Sequence, residues 1–254
     1  MRALDHRSHA LARLSDAAVL LVAVVAAQHF QNHQERAVQV MDRMGYLAGH
    51  LSTARFNRRL HALGDWLRLL LEALGAVVAR GEAFLLDRLP LPAGRRVRAR
   101  RCRTARGREY CGSCAAKREQ CFGWRLHLVC TLDGAPVAVD LLPARLHGLT
   151  PVHELTAGVP AGASVYADKA HHSAADEASI LADAGVRLVP QRRDNMRPNL
   201  WADKLATRAF RKRVETLNSQ REAMGLLRLR ARTTAGFELK VHASLLALAC
   251  ANIK

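Results

Sequence analysis

Aromatic residues are scarce: Phe, Trp and Tyr make up only 5% of the 254 residues. Large rings cannot supply most of the core, so Leu, Val and Ala have to fill it. Acids are scarce too, with 22 Asp and Glu against 39 Lys and Arg, a formal charge of +17. A globular chain so charged repels itself unless a polyanion neutralises it, and nucleic acid is the commonest one because each phosphate contact releases counterions. The bland alternative is a generally basic surface. Long apolar runs are missing. The longest, Ala17–Ala27, falls short of the ~20 residues that span a bilayer. Asp5 and Asp16 interrupt the basic residues before it, and Gln28-His29-Phe30 follows where a secretory leader has small residues. The run therefore reads as a buried helix, with no membrane as partner and a cytoplasmic, nucleoid-associated location. No P-loop or dinucleotide-type glycine pattern is present, which argues against ATP-driven or nicotinamide chemistry. Zinc spacing is incomplete: Cys111 and Cys114 form one tight pair, with Cys102 and Cys121 loosely placed. Structural zinc usually shows two such pairs, so thiols in a reducing cytosol are the expectation, with zinc left open.

What is present is strong hydrophobic patterning, since half the residues are apolar. Residues 1–80 read as an all-helical, DNA-binding domain. Ser15 or Asp16 caps a first helix running through Gln28. Gln34–Leu47 is a second, and Leu51–His61 a basic third. In Asp65–Val78, Trp66, Leu69, Leu70, Ala73, Leu74 and Val77 are expected to form the buried stripe. The pattern changes at Gly81, and residues 81–254 read as a second domain. Ala83–Asp87 is a short strand ending in an acid. Trp124–Cys130 and Ala135–Leu142 are strands joined by the turn signal Leu132-Asp133-Gly134. A short helix over Val152–Ala157 follows, then a strand over Ser164–Asp168 that also ends in an acid. Ala174–Ala184 is a helix closed by Gly185, Val186–Pro190 a fifth strand, Ala202–Met224 a long basic helix, and Gly236–Asn252 an apolar one. Hairpin strands followed by helix-crossed strands imply an α/β fold, a mixed five-stranded sheet flanked by helices. This order is similar to the ribonuclease-H-like fold of nucleotidyl transferases.

Asp87 and Asp168 close apolar strands in the same way, Phe-Leu-Leu-Asp and Val-Tyr-Ala-Asp. A carboxylate inside a sheet costs several kcal/mol, whereas at a strand's carboxyl end it can face solvent or a cation. Two on neighbouring strands offer hard oxygen ligands suited to Mg²⁺ or Mn²⁺. Each alone reads better as an acid that merely starts a loop. Asp140 ranks below them, because Leu141, Leu142 and Pro143 continue its strand. A third ligand is expected from a helix laid across the site. Glu215 fits, with Arg211 four residues before it on the same face and Phe210, Val214 and Leu217 on the core-facing side. The alternative for Glu215 is an ordinary ion pair with Arg211, and Glu222 is held in reserve. His171-His172, just after Asp168, reads as solvated loop.

These residues sit in stretches that resemble the transposases of bacterial insertion-sequence family 982. They are Ala54-Arg55-Phe56-Asn57-Arg58-Arg59-Leu60-His61, Leu86-Asp87 with Pro90-Leu91-Pro92, Phe122-Gly123-Trp124-Arg125-Leu126-His127-Leu128, Tyr166-Ala167-Asp168-Lys169-Ala170, Arg211-Lys212-Arg213-Val214-Glu215-Thr216 and Gly236-Phe237-Glu238-Leu239-Lys240-Val241. The resemblance implies a DDE-type catalytic domain in which Asp87, Asp168 and Glu215 hold two Mg²⁺ or Mn²⁺ ions and Arg211 assists. Two ions ~4 Å apart stabilise the attacking and leaving oxygens of an in-line displacement. The implied activity is cleavage and strand transfer of element ends, with the protein assembled as a homo-oligomer on DNA. The alternatives are a DNA-binding protein derived from an inactive transposase and a metal-dependent nuclease.

Basic residues cluster at Arg55, Arg58 and Arg59, at Arg192, Arg193 and Arg197, and in a loop holding Arg95, Arg96, Arg98, Arg100, Arg101 and Arg103. The first set lies on a helix suited either to the major groove or to solvent. If it reads the element ends, its alanine variants lose discrimination between specific and random DNA by ~1–3 kcal/mol per base contact. Alanine at Arg192, Arg193 or Arg197 is expected instead to weaken binding to all DNA and to flatten the salt dependence by about one counterion per lost contact. Titrations on both DNAs at several salt concentrations distinguish the sets, and identical behaviour would remove the helix as the sequence reader.

Overall fold

The computed structural model describes residues 6–114, 119–193 and 195–253; the side chains of Arg96, Arg98, Cys114 and Glu119 lie outside what it describes. Four helices come first: α1 (Asp16–Phe30), α2 (Gln34–Arg43), α3 (Thr53–Ala62) and α4 (Gly64–Val78). Their starts follow from capping. The Ser15 hydroxyl accepts from the Ala18 N–H, and the Ser52 hydroxyl from the Arg55 N–H. α2 stops at Arg43, short of the expected Leu47, because Gly45 takes a left-handed φ of 74°.

Strands β1 (Ala83–Pro92), β2 (Cys111–Cys114), β3 (Glu119–Thr131), β4 (Pro136–Pro143), β5 (Ser164–Ala167) and β6 (Arg187–Pro190) form one six-stranded sheet. The sequence reading gave five, missing β2. Antiparallel pairs join β1 to β3, β2 to β3 and β3 to β4, whereas β1–β5 and β5–β6 are parallel. The expected turn closes the β3–β4 hairpin, with Gly134 at φ 96° and the Thr131 hydroxyl accepting from the Ala135 N–H. Helices α5 (Val152–Ala157), α6 (Ala174–Ala184), α7 (Trp201–Ala223) and α8 (Thr234–Asn252) complete the chain. Gly185 ends α6 in the left-handed region, as its position in the sequence predicted.

β1 does not end at Asp87 as expected. It runs on to Pro92, and Asp87 is a mid-strand residue opposite Leu128 of β3. The cause is sheet topology. β5 pairs only as far as Leu86, and beyond that rung β1 has a partner on one side alone, where the missing N–H groups of Pro90 and Pro92 cost no ladder bonds.

Apolar side chains gather on both sides of the sheet. One cluster joins α1–α4, α7 and α8 to Leu85, Leu91, Leu126 and Leu128; the other packs α5 and α6 against Phe84, Leu86, Val129 and Val165. Residues 14–74 thus contribute to a core shared with the carboxyl-terminal helix and one sheet face. Helix α4 buries Leu67, Leu71 and Gly75, while Leu69 and Val77 of the expected stripe are exposed. Asp65, Arg68 and Glu72 mark the solvent face, and the buried line Leu67, Leu71, Gly75 runs beside the expected stripe, where backbone approach is closest. A Cβ at Gly75 would lie 2.1 Å from the Val137 carbonyl oxygen, so only glycine lets α4 sit this close to β4. Gly75→Leu is expected to cost at least ~1–3 kcal/mol, read as a lower urea midpoint at unchanged m. An unchanged midpoint would show that α4 does not rest on β4 in this way.

Candidate active site

Asp87 and Asp168 come together through register. The last parallel rung of β1 and β5 is Leu86 with Ala167, and the next residue of the chain is the acid in both cases, within β1 for Asp87 and just past β5 for Asp168. Both line a cleft of about 540 Å³ between these strands and α7, together with Lys169, Thr207, Arg208, Phe210, Arg211 and Val214. Helix α7 is fixed there by apolar contact. The Phe210 ring meets Tyr166 of β5 edge-on at 4.9 Å, and Leu217 is buried beneath the β3–β4 turn, where a Cβ at Gly134 would strike it.

The two acids have different surroundings. Asp87 is almost enclosed, and its Oδ2 accepts from Arg221 Nη1 at 2.6 Å. The Arg221 guanidinium is buried, donates also to Asn218 Oδ1 at 3.0 Å, and lies against the Cys130 thiol. Asp168 is half exposed. Its Oδ1 accepts from the Ala170 N–H at 3.0 Å and lies 2.6 Å from His171 Nδ1. Burial works to raise the Asp168 pKa, but the His171 hydrogen bond and charge, the charge of Arg88 and the Ala170 N–H outweigh it, so the carboxyl sits below its ordinary range.

His171 is therefore no solvated loop residue. It is fully buried, with its ring 6.4 Å from that of His127 on β3. His171 Nε2 and both His127 nitrogens have no hydrogen-bond partner among the described residues. Asp140, half-buried on β4 opposite His127, has its pKa raised, chiefly by desolvation, and lies away from the cleft.

Glu215 is not drawn into the cleft. It is exposed on α7 and pairs with Arg211 Nε at 3.4 Å, the alternative held open from the sequence. Among the described residues no group of three or more His, Cys, Asp and Glu side chains could hold a metal ion. Asp87 and Asp168 bring two carboxylates to the lining of one cleft, and carboxylate oxygen is the donor type that Mg²⁺ and Mn²⁺ prefer. Cys102, Cys111, Cys121, Cys130 and Cys250 are free thiols.

Two of the six arginines assigned to DNA are engaged inside the protein. Arg59 is paired with Asp16, and Arg192 with Glu177 and, at 3.0 Å, with Asn199. Arg55, Arg58, Arg193 and Arg197 are exposed. The residue that sequence reasoning missed is Arg221. The stripe Phe210, Val214, Leu217 reaches it in one more helical step, so a cation on the apolar face was the signal.

The fold is thus a mixed sheet with two acids just beyond the last β1–β5 rung and a basic helix across them. Residues 97–250, more than half of the chain, match the transposase DDE domain family, and the chain belongs to that family. Asp168, Arg211 and Glu215 fall inside the matched segment, and Asp87 precedes it. No curated protein and no solved structure is matched by the chain. No helix among the described residues is long and apolar enough to cross a membrane.

The His127 imidazole carries a pH consequence. Burial, with the nearby charges of His171, Arg88 and Arg125, pushes its pKa from 6.5 down to about 3, against the opposing charge of Asp168. Between those values the unfolded chain binds a proton that the folded His127 does not, so its contribution is complete above pH 6.5 and declines as pH falls towards 3. The slope from one such proton is up to ~1.4 kcal/mol per pH unit. His127→Phe is expected to flatten stability against pH in that window by denaturant titration, and an unchanged slope would contradict the assignment.

Proposed function

We propose that this transposase-family protein nicks DNA at the ends of a mobile element and joins the freed 3′-hydroxyl to target DNA. The observation that carries the reading is the placement of Asp87 and Asp168 one rung beyond Leu86 and Ala167, in a cleft whose other charged residues, Lys169, Arg208 and Arg211, are cations. The strand order β3-β1-β5-β6, with β3 antiparallel and β5 and β6 parallel, supports a ribonuclease-H-like catalytic domain. Resemblance to insertion-sequence family 982 supports Glu215 as the third acid.

Asp87 and Asp168 would hold Mg²⁺ or Mn²⁺, with Glu215 completing the set. A divalent cation there supplies Lewis-acid stabilisation of the charge that develops on the scissile phosphate's oxygens. The rest falls to the chain's own groups. Lys169, Arg208 and Arg211 hold backbone phosphates along the cleft. The Ala170 N–H and His171 hold Asp168 Oδ1 in place, leaving Oδ2 for the cleft. Exposed Arg193 and Arg197 extend the phosphate-binding surface before α7, and Arg55 and Arg58 on α3 remain available to read element ends. With water as nucleophile the strand is nicked; with a DNA 3′-hydroxyl it is joined. Two copies working on paired element ends would account for coordinated cutting.

The test uses purified protein and DNA carrying the element ends. Nicking should require Mg²⁺ or Mn²⁺. Asp168→Asn, Glu215→Gln and the double variant Asp87→Asn/Arg221→Met, which leaves no unpaired guanidinium buried, should each abolish it while DNA affinity stays within a few-fold of wild type. Full activity in chelator removes the metal from the assignment, and full activity in any one of these variants removes the acid it lacks.

A further inference from the structure

The buried Arg221 does more than neutralise Asp87. We propose that it is a built-in competitor for the divalent cation, a resident positive charge on Asp87 Oδ2 that keeps metal affinity low until α7 repacks. This rests on the reading of Asp87 and Asp168 as metal ligands.

Three observations lead there. The guanidinium is 1% exposed, so water does not screen its charge. It holds Oδ2 at 2.6 Å, a charge-assisted contact to an oxygen that a cation would need. Its own bonding is incomplete. Nη1 is shared between Asp87 and Asn218, Nη2 has only the Cys130 sulfur at 3.9 Å, and the buried Nε has no partner among the described residues. A guanidinium carries five N–H donors and nothing else to hold it, so Arg221 depends on Asp87 for its principal anionic contact. A metal ion at Asp87 would draw on the same oxygens and repel the guanidinium, and the two cations cannot both be fully bound. Arg221 and Glu215 lie six residues apart on α7, on different faces. A rotation of α7 that withdrew Arg221 from Asp87 would also move Glu215 relative to the cleft, which couples release of the resident cation to arrival of the third acid.

The experiment is Mn²⁺ binding to the full-length chain at pH 8 without DNA, followed by electron paramagnetic resonance of free Mn²⁺ and by calorimetry. Arg221→Met should bind Mn²⁺ at least tenfold more tightly than wild type, and Arg221→Lys should stay near wild type. The gain should vanish in Arg221→Met/Asp87→Asn. Circular dichroism checks that the variants fold. Should Arg221→Met not fold, Asn218→Asp decides the matter: it keeps the guanidinium buried but offers it a second carboxylate, and is expected to tighten Mn²⁺ binding only while Asp87 is present. Asp87-dependent binding that is equal or weaker in these variants would overturn the competition while leaving the metal site standing. Absence of any Mn²⁺ binding dependent on Asp87 or Asp168, in wild type and variants alike, would overturn the metal-ligand reading and the competition with it.

Discussion

The pairing of Arg221 with Asp87 is the contact around which the cleft is arranged. A guanidinium stripped of water is costly by several kcal/mol, and the cost is met only by a well-placed anion. Asp87 is that anion, held mid-strand on β1, and the bond spans the sheet and the longest helix of the chain. Removing either side leaves an uncompensated buried charge, so α7 is tied to one height and one rotation over β1. That rotation places Arg208 and Arg211 along the cleft and turns Glu215 out to its flank.

Asp168 complements it by contrast. Its strand ends one residue earlier, and a short turn folds His171 back beneath the sheet to meet its carboxylate. One acid is enclosed and paired with a permanent cation; its neighbour is open to solvent and oriented by an imidazole and a backbone N–H. Two carboxylates that follow the same rung thus differ in both exposure and partner. The excess of positive charge on the rest of the chain makes that cleft attractive to a phosphate backbone although its floor is acidic.

Much of this was legible in the sequence, for local reasons. Ser15 and Gly185 mark helix ends because a side chain or backbone freedom satisfies the orphan groups there, and each does so in the structure. The Leu132-Asp133-Gly134 turn is equally local. Asp87 and Asp168 were legible as a pair because two apolar runs stop on an acid, although only one of those runs is a strand end. What the sequence hid was decided by distant partners. Pro90 and Pro92 argue against a strand until it is known that β1 has one neighbour there. The buried side of α4 depended on Gly75 meeting the Val137 backbone, a contact between residues far apart in the chain. Arg59 and Arg192 look like surface cations, and only the folded chain brings Asp16 and Glu177 to them. His171 follows an acid in what reads as a loop, and its burial against His127 comes from the packing of a turn under β3.

The most direct test of the central claim is positional. Crystals of the protein soaked in Mn²⁺ and measured at the manganese absorption edge should show an anomalous peak bonded to carboxylate oxygens of both Asp87 and Asp168, with Arg221 displaced from Asp87 Oδ2 where occupancy is high. An anomalous peak elsewhere, with Asp87 still paired to Arg221 and Asp168 unligated, would contradict a cation site between mid-β1 and the end of β5.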